Sequence, residues 1–160
     1  MNILMVCTGN ICRSPTAEGV LRHHLQAQGL ADRVAVDSAG THGYHIGDPP
    51  DPRTIRTALQ YGVDLRPLRA RQVEAADFER FDLLLAMDDG HYRALQKLQL
   101  QNPSGQRNTG NIRYYLDFAA KAGLRELPDP YYGDNDGFER VFRLCEAATE
   151  GLLAHIRQHM

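Results

Sequence analysis

The chain has 160 residues, 42% apolar and 24% charged, which suits one globular domain around a single core. A net charge of -2 leaves no excess of cations to displace counterions, so a nucleic-acid partner is not expected, and the densest basic cluster (Arg66, Arg69, Arg71) reads as a solvated loop. No apolar stretch is long enough to cross a bilayer, and residues 1–6 are too short and lack the basic flank of an export signal, so a cytoplasmic protein without membrane insertion is expected.

Residues 2–6 form a short apolar run suited to a buried strand. After the polar stretch 7–13, Ser14-Pro15 predicts a helix cap and first-turn proline. Ala17, Val20, Leu21, His24 and Leu25 then recur at helical spacing, and Gly29 marks the stop. Residues 34–36 read as a second strand. Asp51-Pro52 opens another helix, with Ile55, Ala58 and Leu59 turned inward and Gly62 at its end. Residues 81–86 give the strongest buried-strand signal, and a helix over about 89–99 places Tyr92, Leu95 and Leu98 on one face. A fourth strand is expected at 112–116. The last helix carries one stripe of Phe138, Val141, Phe142, Cys145, Ala148, Thr149, Leu152 and Ile156.

No repeat, low-complexity segment or linker divides residues 1–160, so one domain is expected. Strands that alternate with helices of ten or more residues predict an α/β fold, a parallel sheet with helices on both faces. Such sheets bind ligands beyond the carboxyl ends of their strands, near a switch in strand order. That places the chemistry in the loop after the first strand.

Cysteines occur at 7, 12 and 145, too few and too odd in number for a disulfide framework. There is no Cys-x-x-Cys pair and the seven histidines are scattered, so neither a metal nor another cofactor is expected. Cys145, on the apolar stripe, reads as core.

Between Cys7 and Arg13 lie five residues, enough for a loop to curl around a tetrahedral oxyanion with its backbone N–H groups inward. Thr8, Gly9, Asn10, Ile11, Cys12 and Arg13 are the candidate phosphate-binding residues. Gly9 and Asn10 tolerate the positive φ that such a curl needs. The helix that follows adds free N–H groups and its positive dipole end. Arg13 can grip two phosphate oxygens at once, and the same field favours Cys7 as the attacking thiolate. Ser14 is placed to give that sulfur a hydrogen bond. A bare Cys-x5-Arg match is weak, and a cysteine at a strand end is often just a small buried hydrophobe. The strand before, Gly-Asn within and Ser-Pro after give the match its weight.

The string Val6-Cys7-Thr8-Gly9-Asn10-Ile11-Cys12-Arg13-Ser14-Pro15-Thr16-Ala17-Glu18 resembles the signature of the low-molecular-weight protein tyrosine phosphatases. Asp37-Ser38-Ala39-Gly40, Ala70-Arg71-Gln72, Ala86-Met87-Asp88 and Asp129-Pro130-Tyr131-Tyr132-Gly133 resemble further landmarks of that family, in order, over residues 3 to about 155. The resemblance implies a four-stranded parallel sheet, no metal, and a two-step reaction through phosphocysteine. It implies Cys7 as nucleophile, Arg13 as phosphate clamp and Asp129 as general acid, with Asn10, Ser14 and Ser38 holding the loop in shape. It also implies a phosphotyrosine-containing protein as substrate, a tyrosine kinase among the candidates.

Chemistry points the same way for Asp129. A phenol has a pKa near 10, so expelling its oxygen gains from protonation as the P–O bond breaks. Pro128 and Pro130 restrict the backbone on either side, although Asp-Pro read blindly is usually a turn. An aryl group needs apolar walls, for which Ile11, Tyr44 and Tyr131 are the candidates. Cys12 is either a redox partner that shields Cys7 from over-oxidation or a packed small residue.

One departure stands out: Leu68-Arg69 occupies the place where several relatives carry a histidine that supports the loop. Three other readings compete with tyrosine phosphatase. An arsenate reductase needs relay cysteines, and residues 80–95 have none; a phosphoarginine phosphatase usually carries threonine in place of Ile11. A non-catalytic phosphate-binding module would lack Cys7 or Asp129, and both are present.

Overall fold

In this computed structural model, residues 1–102, 111–131, 133 and 135–160 are described, apart from the side chain of Asn135. The first strand, β1 (Asn2–Cys7), is buried over its last five residues because it has a neighbour on each edge and helices on each face. It pairs in parallel with β2 (Ala35–Gly40) on one side and β3 (Leu83–Ala86) on the other, and β4 (Asn111–Tyr114) extends the sheet beyond β3. The order is β2-β1-β3-β4, all parallel, in a single α/β domain.

Alternation along β1 feeds two cores. Ile3, Met5 and Cys7 join Val36, Leu83 and Leu85 beneath α1 (Arg13–Ala27), α2 (Pro52–Gln60) and the long carboxyl-terminal helix (Asn135–Gln158). Leu4 and Val6 join Leu84, Ala86 and Ala39 on the opposite face, under α3 (Asp77–Arg80) and α4 (Asp89–Gln99). The carboxyl-terminal helix is α5, and its predicted stripe from Phe138 to Ile156 is buried throughout. Cys145 is core.

Three local expectations need correction. Helix α1 begins one residue before Ser14, with Cys12 at the N-cap and no side-chain cap bond. Ser14 is instead drawn into hydrogen bonds with Cys7 and Asn10, so the site outcompetes the local capping preference. In α2, Leu59 is 42% exposed, because Thr54 and Ala58 take the buried face, with Ile55 packed beside them. Past Tyr114 the backbone tightens into a 3-10 turn, Tyr115–Phe118, that buries Tyr115 and Leu116 against α5. Asp51 caps α2 as expected, accepting the Arg53 N–H at 2.8 Å, and Gly29 and Gly62 take positive φ just past α1 and α2. The short α3 gave no sequence signal.

Candidate active site

Strand order reverses at β1: the chain goes to β2 on one side and later returns to β3 on the other. The loop of residues 8–12 opens from the carboxyl end of β1 into the crevice this creates. Ties to the end of β2 and to the cap of α2 fix it. Thr41 and His42 donate their N–H groups to the Cys7 and Thr8 carbonyls, and Asp51 N–H reaches the Ile11 carbonyl at 2.9 Å. β2 approaches so closely that a Cβ on Gly40 would stand 2.6 Å from the Thr8 carbonyl oxygen. Leu127 N–H, bonded to the Met87 carbonyl at 2.8 Å, hangs the segment carrying Asp129 from the end of β3.

Asn10, with φ of 60°, is the positive-φ non-glycine among the described residues. That twist turns its carboxamide behind the loop. Its Nδ2 donates to Ser14 Oγ (2.7 Å) and Ser38 Oγ (2.9 Å), while its Oδ1 accepts the Arg71 N–H at 3.0 Å. Gly9 was expected to share the positive φ and does not. Its missing side chain leaves room for the His45 ring, whose edge a Cβ there would meet at 3.0 Å.

Direction follows from the donors. Because the Asn10 amide donates into Ser14 Oγ, the Ser14 proton is free for Cys7 Sγ, 3.0 Å away. Ser38 likewise sends its proton on to the buried Glu18, which Arg22 also contacts. Burial lifts the Glu18 carboxyl above its usual range, against Ser38 and Arg22. The Leu68-Arg69 departure leaves this wiring whole. The Arg71 backbone amide serves Asn10 Oδ1, Leu68 packs against the core, and Arg69 donates to the Arg66 and Leu68 carbonyls.

Cys7, Thr8, Gly9, Ile11, Cys12, Arg13, Tyr44, Asp129 and Tyr131 line one cavity of about 190 Å³, joined by His45, which sequence reasoning missed. Asn10, Ser14 and Ser38 lie behind it. Within the described residues, no carbonyl or side chain takes the backbone N–H groups of residues 9–12, which leaves them for an anion. Arg13 is almost wholly buried. Its Nη1 donates to Asp88 Oδ2 and the Leu127 carbonyl, each at 3.0 Å, and its Nη2 lies 3.5 Å from Thr8 Oγ1 and 3.6 Å from Asp129 Oδ2. Burial alone would raise the Asp88 carboxyl, yet His91 and Arg13 hold it below its usual range. Asp88 was legible only as part of a motif, with no role attached.

The family model described as low molecular weight phosphotyrosine protein phosphatase matches residues 2–160. The chain belongs to that family. A low molecular weight protein-tyrosine-phosphatase of Streptomyces coelicolor is 43% identical over 99% of this chain and 94% of its own. A crystal structure of a protein tyrosine phosphatase from Entamoeba histolytica, with Hepes in its active site, superimposes with a TM-score of 0.91 at 36% identity, covering 99% of this chain and 98% of that one. The crystal structure of YfkJ from Bacillus subtilis gives 0.89 at 37% identity, covering 99% and 96%. This member of the family is therefore a protein-tyrosine phosphatase, a phosphoric monoester hydrolase. No described helix is long and apolar enough to cross a membrane.

Proposed function

We propose that the chain, acting in the cytoplasm, hydrolyses phosphotyrosine on proteins, a tyrosine kinase among them, by a metal-independent route through phosphocysteine. The observation that carries this is the convergence of Cys7, Arg13 and Asp129 on one cavity floored by free backbone N–H groups. Cys7 Sγ attacks phosphorus while the loop amides and the Arg13 guanidinium hold the equatorial oxygens, so developing charge meets donors already in place. Asp129, at the cavity edge with its Oδ1 accepting the Tyr131 N–H at 3.0 Å, gives its proton to the departing phenol oxygen. In the second step the same carboxylate takes a proton from water, which attacks phosphorus. Sulfur then leaves with the Ser14 hydroxyl to stabilise it.

Ile11, Tyr44 and Tyr131 around the opening favour an aryl ester over the smaller or more polar substrates of the competing readings. Hydrolysis of p-nitrophenyl phosphate in excess chelator tests the proposal. Turnover abolished by Cys7→Ser and strongly reduced by Asp129→Asn is expected; no turnover by folded, reduced wild type would discard it.

Cys12 extends the proposal to oxidation. Peroxide converts Cys7 to a sulfenic acid, and Cys12 displaces water from it to form a disulfide. Burial, with Asp51, Cys7 and Asp129 adding to it, pushes the Cys12 thiol up to about 12. Bridge formation is therefore expected to quicken with pH. Peptide mapping after mild peroxide checks this, and a Cys7 sulfonic acid with no Cys7–Cys12 bridge counts against it.

A further inference from the structure

Asp88 and His91 close around Arg13 from the side of α4, and the mechanism above uses neither. His91 is 3% exposed, in the first turn of α4. Its Nε2 lies 2.8 Å from Thr8 Oγ1. Its Nδ1 stands 3.2 Å from Asp88 Oδ1, off the line of a good hydrogen bond. Asp88 Oδ1 caps α4 by accepting the His91 backbone N–H at 3.0 Å, while Oδ2 takes Arg13 Nη1. One imidazole thus touches both side chains that flank the Arg13 guanidinium.

Charge selects the tautomer. A neutral imidazole has one N–H, and a bare lone pair on Nδ1 facing a carboxylate oxygen would be repelled. The proton therefore sits on Nδ1, and Nε2 accepts from the Thr8 hydroxyl. The remaining lone pairs of Thr8 Oγ1 then face Arg13 Nη2. An imidazolium would reverse this, turning a donor on Thr8 and a second cation on Arg13. Burial is the largest influence on the ring. With Arg13 and His42, and against Asp88 and Asp129, it lowers His91 to about 4, so the ring is neutral at neutral pH. The groups facing it are Asp88 on its own cap, Thr8 and Arg13 from the phosphate loop, Asp129 from the acid loop and His42 after β2.

We propose that His91 is a positioning residue: as a neutral Nδ1–H imidazole it accepts the Thr8 hydroxyl and, with Asp88, aims the Arg13 guanidinium into the phosphate loop. This rests on the phosphatase reading above. His91 gives no atom to the substrate, so its loss should slow the chemical step more than it weakens binding.

The test compares wild type, His91→Leu, His91→Gln, Thr8→Val and the His91→Leu/Thr8→Val double variant on p-nitrophenyl phosphate, each checked for folding by thermal melt. His91→Leu should lower kcat about tenfold or more with KM changed less than about threefold. His91→Gln, whose carboxamide oxygen reaches the place of Nε2, should restore most of it. The double variant should be no slower than the slower single one, since both break one contact. Unchanged kcat in His91→Leu, no rescue by glutamine, or additive losses would overturn the proposal. Side-chain 15N NMR of wild type at pH 7 gives an answer even where the leucine variant does not fold: an Nδ1–H signal for His91 supports it, and an Nε2–H tautomer or an imidazolium overturns it. An inactive folded wild type would remove the phosphatase reading along with it. An active wild type beside an equally active His91→Leu would remove this inference alone.

Discussion

Around Cys7 the side chains are buried and tied to one another. Ser14 is held by Asn10, Asn10 by Ser38 and the Arg71 amide, and Arg13 by Asp88 and the Leu127 carbonyl. A few ångströms outward the rim is built differently. Tyr44 is 71% exposed and stacks on His42, with ring centroids 5.0 Å apart, and Tyr131 is 40% exposed with the Arg53 guanidinium 5.4 Å from its ring. The floor must present one geometry to a phosphate whose shape never varies. In the proposed function the rim meets peptides whose sequences do vary, and side chains that can re-pack serve it better. Substitutions in the floor should therefore act on kcat, and those in the rim on KM.

The largest expected effect breaks the floor at its cation. Arg13→Lys keeps the charge but loses the fork that holds Asp88 and, in the proposed mechanism, the phosphate, and kcat should fall about 10²- to 10³-fold. A loss of under about tenfold would show that charge alone suffices there. Next comes Gly40→Ala, whose methyl would meet the Thr8 carbonyl oxygen at 2.6 Å, with backbone atoms on both sides of the clash. A cost of about 1–3 kcal/mol is expected in denaturant unfolding, along with reduced kcat as the loop shifts. An unperturbed kcat would mean that the loop tolerates more movement than its ties suggest.

A pH dependence sharpens the comparison. His91 is held neutral in the fold to about 4, whereas in the unfolded chain it protonates near its ordinary 6.5. Between these values the unfolded state binds the extra proton, so stability is full above about pH 6.5 and declines as pH falls toward 4. Urea unfolding of wild type and His91→Gln over that window should show a flatter dependence in the variant. Parallel curves would place the titration elsewhere. The smallest effects belong to the rim. Tyr44→Ala and Tyr131→Ala should each raise KM a few-fold for an aryl phosphate and leave an alkyl phosphate unchanged. Equal losses on both substrates would take these rings out of aryl recognition.

Much of the fold was readable because it is periodic: the apolar run of β1, the face of α4 and the stripe of α5 each follow from spacing. Local rules failed where the site competes with them. Ser14 is a sound capping residue in isolation, yet its hydroxyl goes to Cys7 and Asn10, so the helix starts at Arg13 with no side-chain cap. His45 carried no periodic or motif signal. It enters the cavity because the chain after β2 folds back over Gly9.

The sequence by itself brought the proposed nucleophile, loop amides and clamp together, since they lie within seven consecutive residues between a strand and a helix, with Asn10 able to take the positive φ that the curl needs. Tertiary structure alone decided what surrounds the Arg13 guanidinium. Asp88, His91 and the Leu127 carbonyl reach Arg13 and Thr8 from beyond the end of β3 and from the segment that carries Asp129, 75 to 114 positions away in sequence. It also decided how the loop stays propped without the expected histidine. Asn10 Oδ1 is met by the Arg71 main-chain N–H, and a backbone donor is present at every residue but proline, so no side chain in the sequence marks it.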